Sequence, residues 1–290
     1  MDSERPQNII EGTINSVSAS FWYYLFKRRL NITLMGLLIG AVWMIGFGWL
    51  SFNSPGDNGV SWLFYLIELL PIGVIIVYCA RVYSKTLGEF YYQFAQANNF
   101  IYTASGSISD LEGELFNIGH SRSMSNVVSG TYDGNDFDLF LYRYVTGSGK
   151  EQQTHHNTVC RINYPSPLPP IILLVDHEFF GGIIPLFSNW HKLKLEGNFD
   201  KNFDFYSRKE MEIEALQIFS PPVMEKLINQ WPEFNLEFRD NQLIVFYNRT
   251  ITTKAELERM YALVQYLITT VEPVALRMKS SLAAMNAAIN

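Results

Sequence analysis

Two long apolar runs, separated by seven residues, constrain this chain more than any other feature. The first run covers residues 32–52 and the second covers residues 60–80. A helix that crosses the hydrocarbon core of a bilayer needs about 20 predominantly apolar residues. Each run meets that length, and a cleaved signal peptide would have a shorter apolar core with no second run directly after it. The pattern therefore predicts a transmembrane helical hairpin over residues 32–80.

The charged residues beside the hairpin predict its orientation. Lys27, Arg28 and Arg29 precede the first run, and Arg81 and Lys85 follow the second. The connecting loop, residues 53–59, contains no Lys or Arg. Because Lys and Arg in short flanking segments favour the cytoplasmic side, we expect a multi-pass protein with both termini in the cytoplasm and this loop outside.

The hairpin implies a simple division of the chain into five parts. Helical spacing of apolar residues after the second run predicts a juxtamembrane helix that packs its aromatic face on the following domain. The expected parts are an N-terminal cytoplasmic segment, the hairpin, the juxtamembrane helix, a cytoplasmic domain and a C-terminal tail (residues 1–31, 32–80, 81–99, 100–282 and 283–290).

The charge of the presumed cytoplasmic part argues against nucleic acid as a partner. Residues 86–290 contain 16 Lys and Arg against 23 Asp and Glu, a formal net charge of −7. Binding to nucleic acid or to anionic lipid without other contacts requires a basic surface. The two cysteines, Cys79 and Cys160, do not form a disulfide framework and are typical of a reducing compartment.

The domain itself predicts an α+β fold that is β-rich in its middle and helical at its end. Asp133-Gly134 and Asp240-Asn241 each lie between strand-like segments and predict hairpins, and residues 212–219 are interpreted as another strand. Residues 220–230 are expected to form a short helix. Thr253 with Glu256 has the spacing of a capping box at the start of a helix that extends to residue 281. We expect a barrel or sandwich capped by this helix.

Glu68 is the residue of the hairpin whose chemistry most needs a role. It lies near the centre of the second apolar run, where an ionisable group is costly unless it is paired, hydrated or protonated. One interpretation is a proton- or ion-linked site or an oligomer contact. The alternative, which a lone carboxylate without a basic partner favours, is a protonated side chain that bonds within the hairpin. Gly36 and Gly40 permit close helix packing, more plausibly between the two spans than in a dimer.

Cys160 and His156 are the weak catalytic candidates in the domain. They lie on one predicted strand, and alternation places both on the same face, with His155 on the other. A Cys nucleophile needs a nearby base and an activated thiolate. A buried structural Cys with surface histidines is the competing and favoured interpretation. No paired ligand motif predicts a metal site, and the segment 146–150, TGSGK, lacks the spacing of a phosphate loop, so no cofactor is expected.

A set of segments resembles one family of bacterial proteins. These proteins have two N-terminal spans and a cytoplasmic domain of unknown function. The resemblance implies a bacterial inner-membrane protein, and it brings no activity, ligand or catalytic residue with it. The matching segments are GHSRSMSNVVSGTYDG (119–134), YRYVTGSGK (142–150), TVCR (158–161), LEGNFDKNFD (195–204) and EALQIFSP (214–221).

Taken together, these features favour a noncatalytic, membrane-anchored interaction or scaffold module. Its expected partners are the lipid bilayer and other proteins, with a homo-oligomer as a further option. Two alternatives stay open: a hydrolase at the inner membrane face that uses Cys160 with a histidine, and a small transporter or channel subunit built on Glu68.

Overall fold

The computed structural model describes residues 15–23, 30–53, 61–132, 134–164, 166–175, 190–195 and 198–289. The chain divides into two compact units, one comprising residues 14–90 and the other formed chiefly by residues 91–290. The molecule is α+β, with a large antiparallel sheet and a long C-terminal helix. The sequence prediction of this fold class is confirmed at that level.

The first unit is helical. Both apolar runs lie in helices that expose many large apolar side chains. Among the described residues, one segment, residues 69–97, is long and apolar enough to cross a membrane, and a shorter apolar stretch covers residues 36–46. The predicted two-span hairpin is therefore not confirmed, and its loop falls mostly outside the described residues. The helices are α1 (Val17–Trp22), α2 (Leu30–Asn53) and α3 (Ser61–Ala97).

Gly40 lies where α2 and α3 pack against each other. A Cβ atom at this position would meet the Pro71 Cβ at 3.7 Å and the Ile75 Cδ1 at 3.8 Å. A Cβ at Gly36 would meet no atom within 4 Å. Of the two glycines in the predicted motif, Gly40 thus lies at the contact between these helices.

The second unit is built on one antiparallel sheet, which has nine strands among the described residues. Its spatial order is β1-β2-β3-β4-β9-β8-β5-β7-β6. The strands are β1 (Ile101–Gly106), β2 (His120–Tyr132), β3 (Asn135–Thr146), β4 (Gln153–Asn163), β5 (Ile171–Leu174), β6 (Trp190–Leu193), β7 (Asp204–Arg208), β8 (Phe234–Arg239) and β9 (Gln242–Tyr247).

This sheet is open, so the expected barrel or sandwich is wrong. The strands β1 and β6 form its two edges. In the middle of the sheet, every residue of β5 is buried, as is nearly every residue of β8 and β9. Apolar groups therefore cover both faces of one layer. A second sheet is not needed to bury them.

The two faces of β3 show how this layering works. Phe137 packs against Tyr261, with ring centroids 5.5 Å apart. On the opposite face, Tyr142 packs edge-on against Phe116 at 5.2 Å, and its hydroxyl donates to the Phe116 carbonyl oxygen at 3.2 Å. Phe116 belongs to a short 3₁₀ helix, Leu115–Asn117. Residues 137 and 142, an odd number of positions apart, thus lie on opposite faces of the sheet, as the alternation of a strand requires.

The helices of the second unit include one that sequence reasoning assigned to a strand. These helices are α4 (Phe199–Asn202), α5 (Glu212–Ile218), α6 (Pro221–Gln230) and α7 (Lys254–Ile289). In α5 the buried residues are Ala215 and Ile218, three positions apart. This is one helical turn. The strand expected over residues 212–219 is therefore wrong, because helix-forming residues and this spacing favour a helix.

The long helix α7 begins with the predicted capping box. The Thr253 Oγ1 accepts from the Glu256 backbone N–H at 3.3 Å, and the Glu256 Oε2 accepts from the Thr253 N–H at 3.2 Å. The helix continues to Ile289, so the tail expected from residue 283 is helical. Ala-rich sequence with no breaker after Pro273 favours this extension.

The last residues of α3 contribute to the core of the second unit. Tyr91, Phe94 and Ala95 are fully buried. The Phe94 ring packs 5.4 Å from the ring of Tyr261, and the Tyr91 hydroxyl donates to the Ile251 carbonyl oxygen at 3.1 Å. The aromatic face predicted for the juxtamembrane helix is thus buried.

Candidate functional site

Cys160 lies in the core, out of contact with solvent. Its side chain is 1% exposed, and its neighbours across the sheet are Leu139 and Val245. Burial raises the pKa of the thiol far above its usual range, and the Asp138 carboxylate adds to the effect. A thiol that stays protonated is a poor nucleophile.

His156 does not meet Cys160. The two residues share a face of β4, but four residues of strand separate them by about 13 Å. His156 is exposed and lies opposite Arg143. The structure therefore places the two catalytic candidates apart. Cys160 is buried and His156 is exposed, as the favoured sequence interpretation describes them.

The other described histidines are also dispersed. His155 stacks on Tyr144, with ring centroids 4.8 Å apart, and its Nε2 lies 2.7 Å from the Thr146 hydroxyl. His120 contacts the Gly147 carbonyl oxygen at 3.1 Å, and His191 pairs with Glu212 at 2.6 Å. His177 lies outside the described residues. Among those described, no group of three His, Cys, Asp or Glu could hold a metal ion.

Glu68 lies within helix α3, and its side chain is outside the described residues. Its role therefore stays a hypothesis from the sequence.

A polar pocket of about 450 Å³ opens where β4 begins and β9 ends. A site of this volume falls within the range of about 300–1,000 Å³ that small-molecule pockets occupy. Its lining combines amide, hydroxyl, imidazole and guanidinium groups, and none of the lining side chains is a carboxylate. The lining residues are Tyr144, Gln153, Thr154, His155, His156, Asn157, Asn248, Arg249 and Thr250.

Two buried side chains contribute to this pocket. Tyr144 is 2% exposed and Asn157 is 5% exposed. Burial raises the pKa of the Tyr144 hydroxyl above its usual range, the neighbouring Tyr142 adds to the rise, and a hydrogen bond with Asn157 opposes it. The tyrosine therefore stays neutral. Burial also lowers the pKa of His155, with a contribution from His156.

Asn248 is held in place by a buried amide beneath it. Its Oδ1 accepts from the Nδ2 of Asn235 at 2.9 Å. Asn235 is fully buried, and its own Oδ1 accepts from the Val175 backbone N–H at 2.8 Å. Since this chain of bonds fixes which atom of Asn248 is the acceptor, the Nδ2 of Asn248 is the end that can donate to a ligand.

Arg249 is positioned by an aromatic ring and a carboxylate. Its guanidinium lies 4.8 Å from the centroid of the Tyr247 ring, and its Nε donates to the Tyr247 hydroxyl. Its Nη2 lies 3.4 Å from the Glu256 carboxylate. A guanidinium has five N–H donors in a fixed plane, so donors are left for a ligand after these contacts.

A buried threonine ties the two sides of the pocket together. The Thr158 hydroxyl of β4 donates to the Arg249 carbonyl oxygen at 3.0 Å and accepts from the Ile251 N–H at 2.8 Å. The backbone that carries Arg249 is thereby held against β4.

Glu237 is a buried carboxyl group in β8, away from the lining of the polar pocket. Its carboxylate accepts from the backbone N–H groups of Glu114 at 2.6 Å and Leu115 at 3.2 Å. These are the amides at the start of the 3₁₀ helix that covers the sheet. Burial raises the pKa of Glu237 to about 7, although the two N–H donors oppose the rise. This carboxylate fixes the covering segment and does not line the polar pocket.

Sequence reasoning singled out two residues that line the pocket, His156 as a catalytic candidate and His155 on the other face of the strand, and it missed the others. Asn157 and Arg249 are 92 positions apart in the chain, and they meet because β4 pairs with β9. Asn157 lies within β4 and Arg249 follows the end of β9. Both are common polar residues, and no short-range spacing connects them.

The comparisons with known proteins do not identify the chain. No protein-family model matches it, and no curated protein does. Among solved structures it is similar to the mycobacterial trehalose monomycolate transport factor A, TtfA. The two share 13% sequence identity over 64% of this chain and 96% of that one, with a TM-score of 0.46. A likeness at this level gives no indication of function.

The lining of the polar pocket combines hydrogen-bond donors with one guanidinium. Nucleophilic catalysis needs a Cys, Ser or Thr whose side chain contacts a base. Thr146 contacts His155, yet an imidazole whose pKa is lowered by burial is a weak base, and Thr146 is not among the residues that line the pocket. What the pocket offers is a set of hydrogen-bond donors around one fixed cation.

Proposed function

We propose that this protein is a noncatalytic, membrane-anchored binding module whose domain recognises its ligand or partner through the polar pocket. The observation that carries this proposal is the pocket itself, a preformed site rich in hydrogen-bond donors. Cys160 is buried in the core and does not line this pocket. A hydrolase built on Cys160 is disfavoured by the same geometry.

The membrane anchor is supported by the exposed apolar surface of α2 and α3. At 1.5 Å per residue, the 24 residues of α2 span about 36 Å, which exceeds the hydrocarbon thickness of about 30 Å. In α3 the exposed residues include Leu69, Leu70 and Val74. Soluble monomeric proteins rarely expose apolar patches of this extent to water.

The proposed topology is a hairpin of two spans in a bacterial inner membrane, with both termini in the cytoplasm. It is supported by the position of Lys and Arg outside the two apolar runs and by the resemblance noted from the sequence. In this arrangement the pocket faces the cytoplasm, where it can bind another protein or a soluble ligand.

The proposal is tested by crosslinking the tagged full-length protein in native membranes and identifying captured proteins by mass spectrometry. We expect capture by the wild-type protein to be lost in Arg249→Glu, which reverses the charge at the pocket. Arg259→Glu is the matched control, because Arg259 is also an exposed arginine paired with a carboxylate, Glu233, at 2.7 Å.

The contrary result would be turnover of a substrate by the purified protein that a single substitution in the pocket abolishes. Such a result would replace the binding module with an enzyme.

A further inference from the structure

The lining of the polar pocket has the opposite charge balance to the domain around it. Residues 86–290 carry a formal net charge of −7. The pocket nevertheless presents one arginine and two histidines and no lining carboxylate. Glu256 balances part of the Arg249 charge from outside the lining, so an anion in the pocket meets one guanidinium and neutral donors and no lining carboxylate.

Its hydrogen-bonding groups match those that an anion needs. The Nδ2 of Asn248 and the unused N–H groups of Arg249 are donors, and the pocket adds the hydroxyls of Thr154 and Thr250. A guanidinium binds carboxylate or phosphate oxygens in a bidentate manner and forms stronger bonds with them than neutral donors do.

The arginine is preorganised for this contact. Tyr247 and Glu256 hold two edges of its guanidinium, so little side-chain freedom is lost when a ligand binds. Glu256 neutralises part of the Arg249 charge, so a ligand gains from contacting the neutral donors of the pocket as well as the guanidinium. An oxyanion with several acceptor oxygens can make these contacts together, whereas a group with one weak acceptor cannot. A phosphate monoester has three such oxygens.

We propose that this pocket binds the phosphate group of a phosphorylated small molecule or of a phospholipid headgroup, with Arg249 as its charge contact and Asn248 as a neutral donor. The inference rests on the proposed function, because it names the ligand class of the same pocket. The volume exceeds what a phosphate group alone would fill, so the rest of the ligand also lies in the pocket, against Tyr144 and His155.

The first test uses full-length protein in an uncharged detergent, with inorganic phosphate and glycerol 3-phosphate as probes at matched ionic strength. Binding is measured by calorimetry and by the shift of the thermal midpoint. We expect glycerol 3-phosphate to bind more tightly than inorganic phosphate. Arg249→Gln should weaken binding about tenfold through loss of a charge-assisted hydrogen bond, and Arg259→Gln should leave it unchanged.

A second variant, Asn248→Asp, guards against a loss of fold in Arg249→Gln. The aspartate keeps an acceptor oxygen for Asn235 and replaces the donor with a negative charge. We expect the thermal midpoint of Asn248→Asp to equal that of the wild type and its phosphate binding to be lost. Retained binding in Asn248→Asp, equal losses in the two arginine variants, or no binding of either probe would overturn the proposal.

The two sources of phosphate are distinguished with nanodiscs. If the ligand is a lipid headgroup, wild-type protein in discs with phosphatidic acid, which ends in a phosphate monoester, has a higher thermal midpoint than in discs of phosphatidylcholine, whose phosphate is a diester with choline. Arg249→Gln removes the difference. If the ligand is soluble, the two discs give the same midpoint and glycerol 3-phosphate raises both.

Failure of this inference and failure of the proposed function give different results. Crosslinked capture that depends on Arg249 without any phosphate binding would leave the binding module standing and reject the phosphate ligand. Hydrolysis of a phosphate ester in the pocket would instead reject the noncatalytic function and keep the phosphate site.

Discussion

At the scale of single residues, the titration of the buried Glu237 couples the stability of the fold to pH. Its carboxyl is fully buried and its pKa is raised to about 7 from an ordinary value of 4.5. Between these two pH values the folded protein binds more protons at this group than the unfolded chain does. The free energy of unfolding therefore falls as the pH rises from 4.5 to 7.

The pH dependence that follows can be measured against a variant without this titration. We expect the free energy of unfolding of the wild type, relative to Glu237→Gln, to decrease by up to about 3 kcal/mol between pH 4.5 and 7. Thermal or urea unfolding of the full-length protein in detergent at several pH values measures the difference. A constant difference, or one that increases with pH, would contradict the raised pKa.

At the scale of secondary-structure elements, the connection between β9 and α7 depends on one hydroxyl. Thr158 is fully buried, donates to the Arg249 carbonyl oxygen and accepts from the Ile251 N–H. Through these bonds it joins β4 to the backbone that carries Arg249. An unpaired buried N–H costs about 1–3 kcal/mol.

We expect Thr158→Val to lower the free energy of unfolding by about 1–3 kcal/mol, because valine has nearly the same shape but leaves the buried Ile251 N–H without its acceptor. The Arg249 carbonyl oxygen keeps its bond from the backbone N–H of residue 158 at 3.1 Å. Thr158→Ser is the control, since it keeps the hydroxyl and should lose less. Denaturant unfolding of the two variants measures the effect. Equal losses would mean that the methyl group of Thr158 matters more than its hydroxyl.

The elements also differ in how far the sequence predicts them. The hairpin of β8 and β9 follows from Asp240-Asn241, whose Asp240 has a positive φ of 49°, and the start of α7 follows from its capping box. These signals are local. Helix α5, the open sheet and the pocket escaped prediction because short segments have ambiguous periodicity and because pairing between β4 and β9 joins residues far apart in the chain. Glu237 was missed for a related reason: an acidic residue within a strand does not reveal that two distant amides will contact it.

At the scale of the whole molecule, the proposed topology can be tested with cysteine labelling. The background is Cys79→Ser, because the buried Cys160 is unreactive. In spheroplasts, we expect a membrane-impermeant maleimide to label Asp57→Cys, in the loop between the apolar runs. Lys150→Cys, in an exposed turn of the domain, should be labelled only after the membrane is permeabilised.

Labelling of Lys150→Cys in closed spheroplasts would place the domain on the outer side of the membrane. If Asp57→Cys is not labelled in spheroplasts but is labelled after detergent is added, the loop does not reach the outer side of the membrane. The two apolar runs would then not be a pair of membrane spans.

The burial of β5, β8 and β9 on both faces has a consequence for how this protein can change over evolutionary time. A typical antiparallel strand keeps one face in water, and every second position there accepts polar residues freely. Here successive positions such as Ile171 to Leu174 are all enclosed. Homologous sequences should therefore vary slowly at every position of these strands, and drift should concentrate instead in β1, whose residues are mostly exposed at the sheet edge.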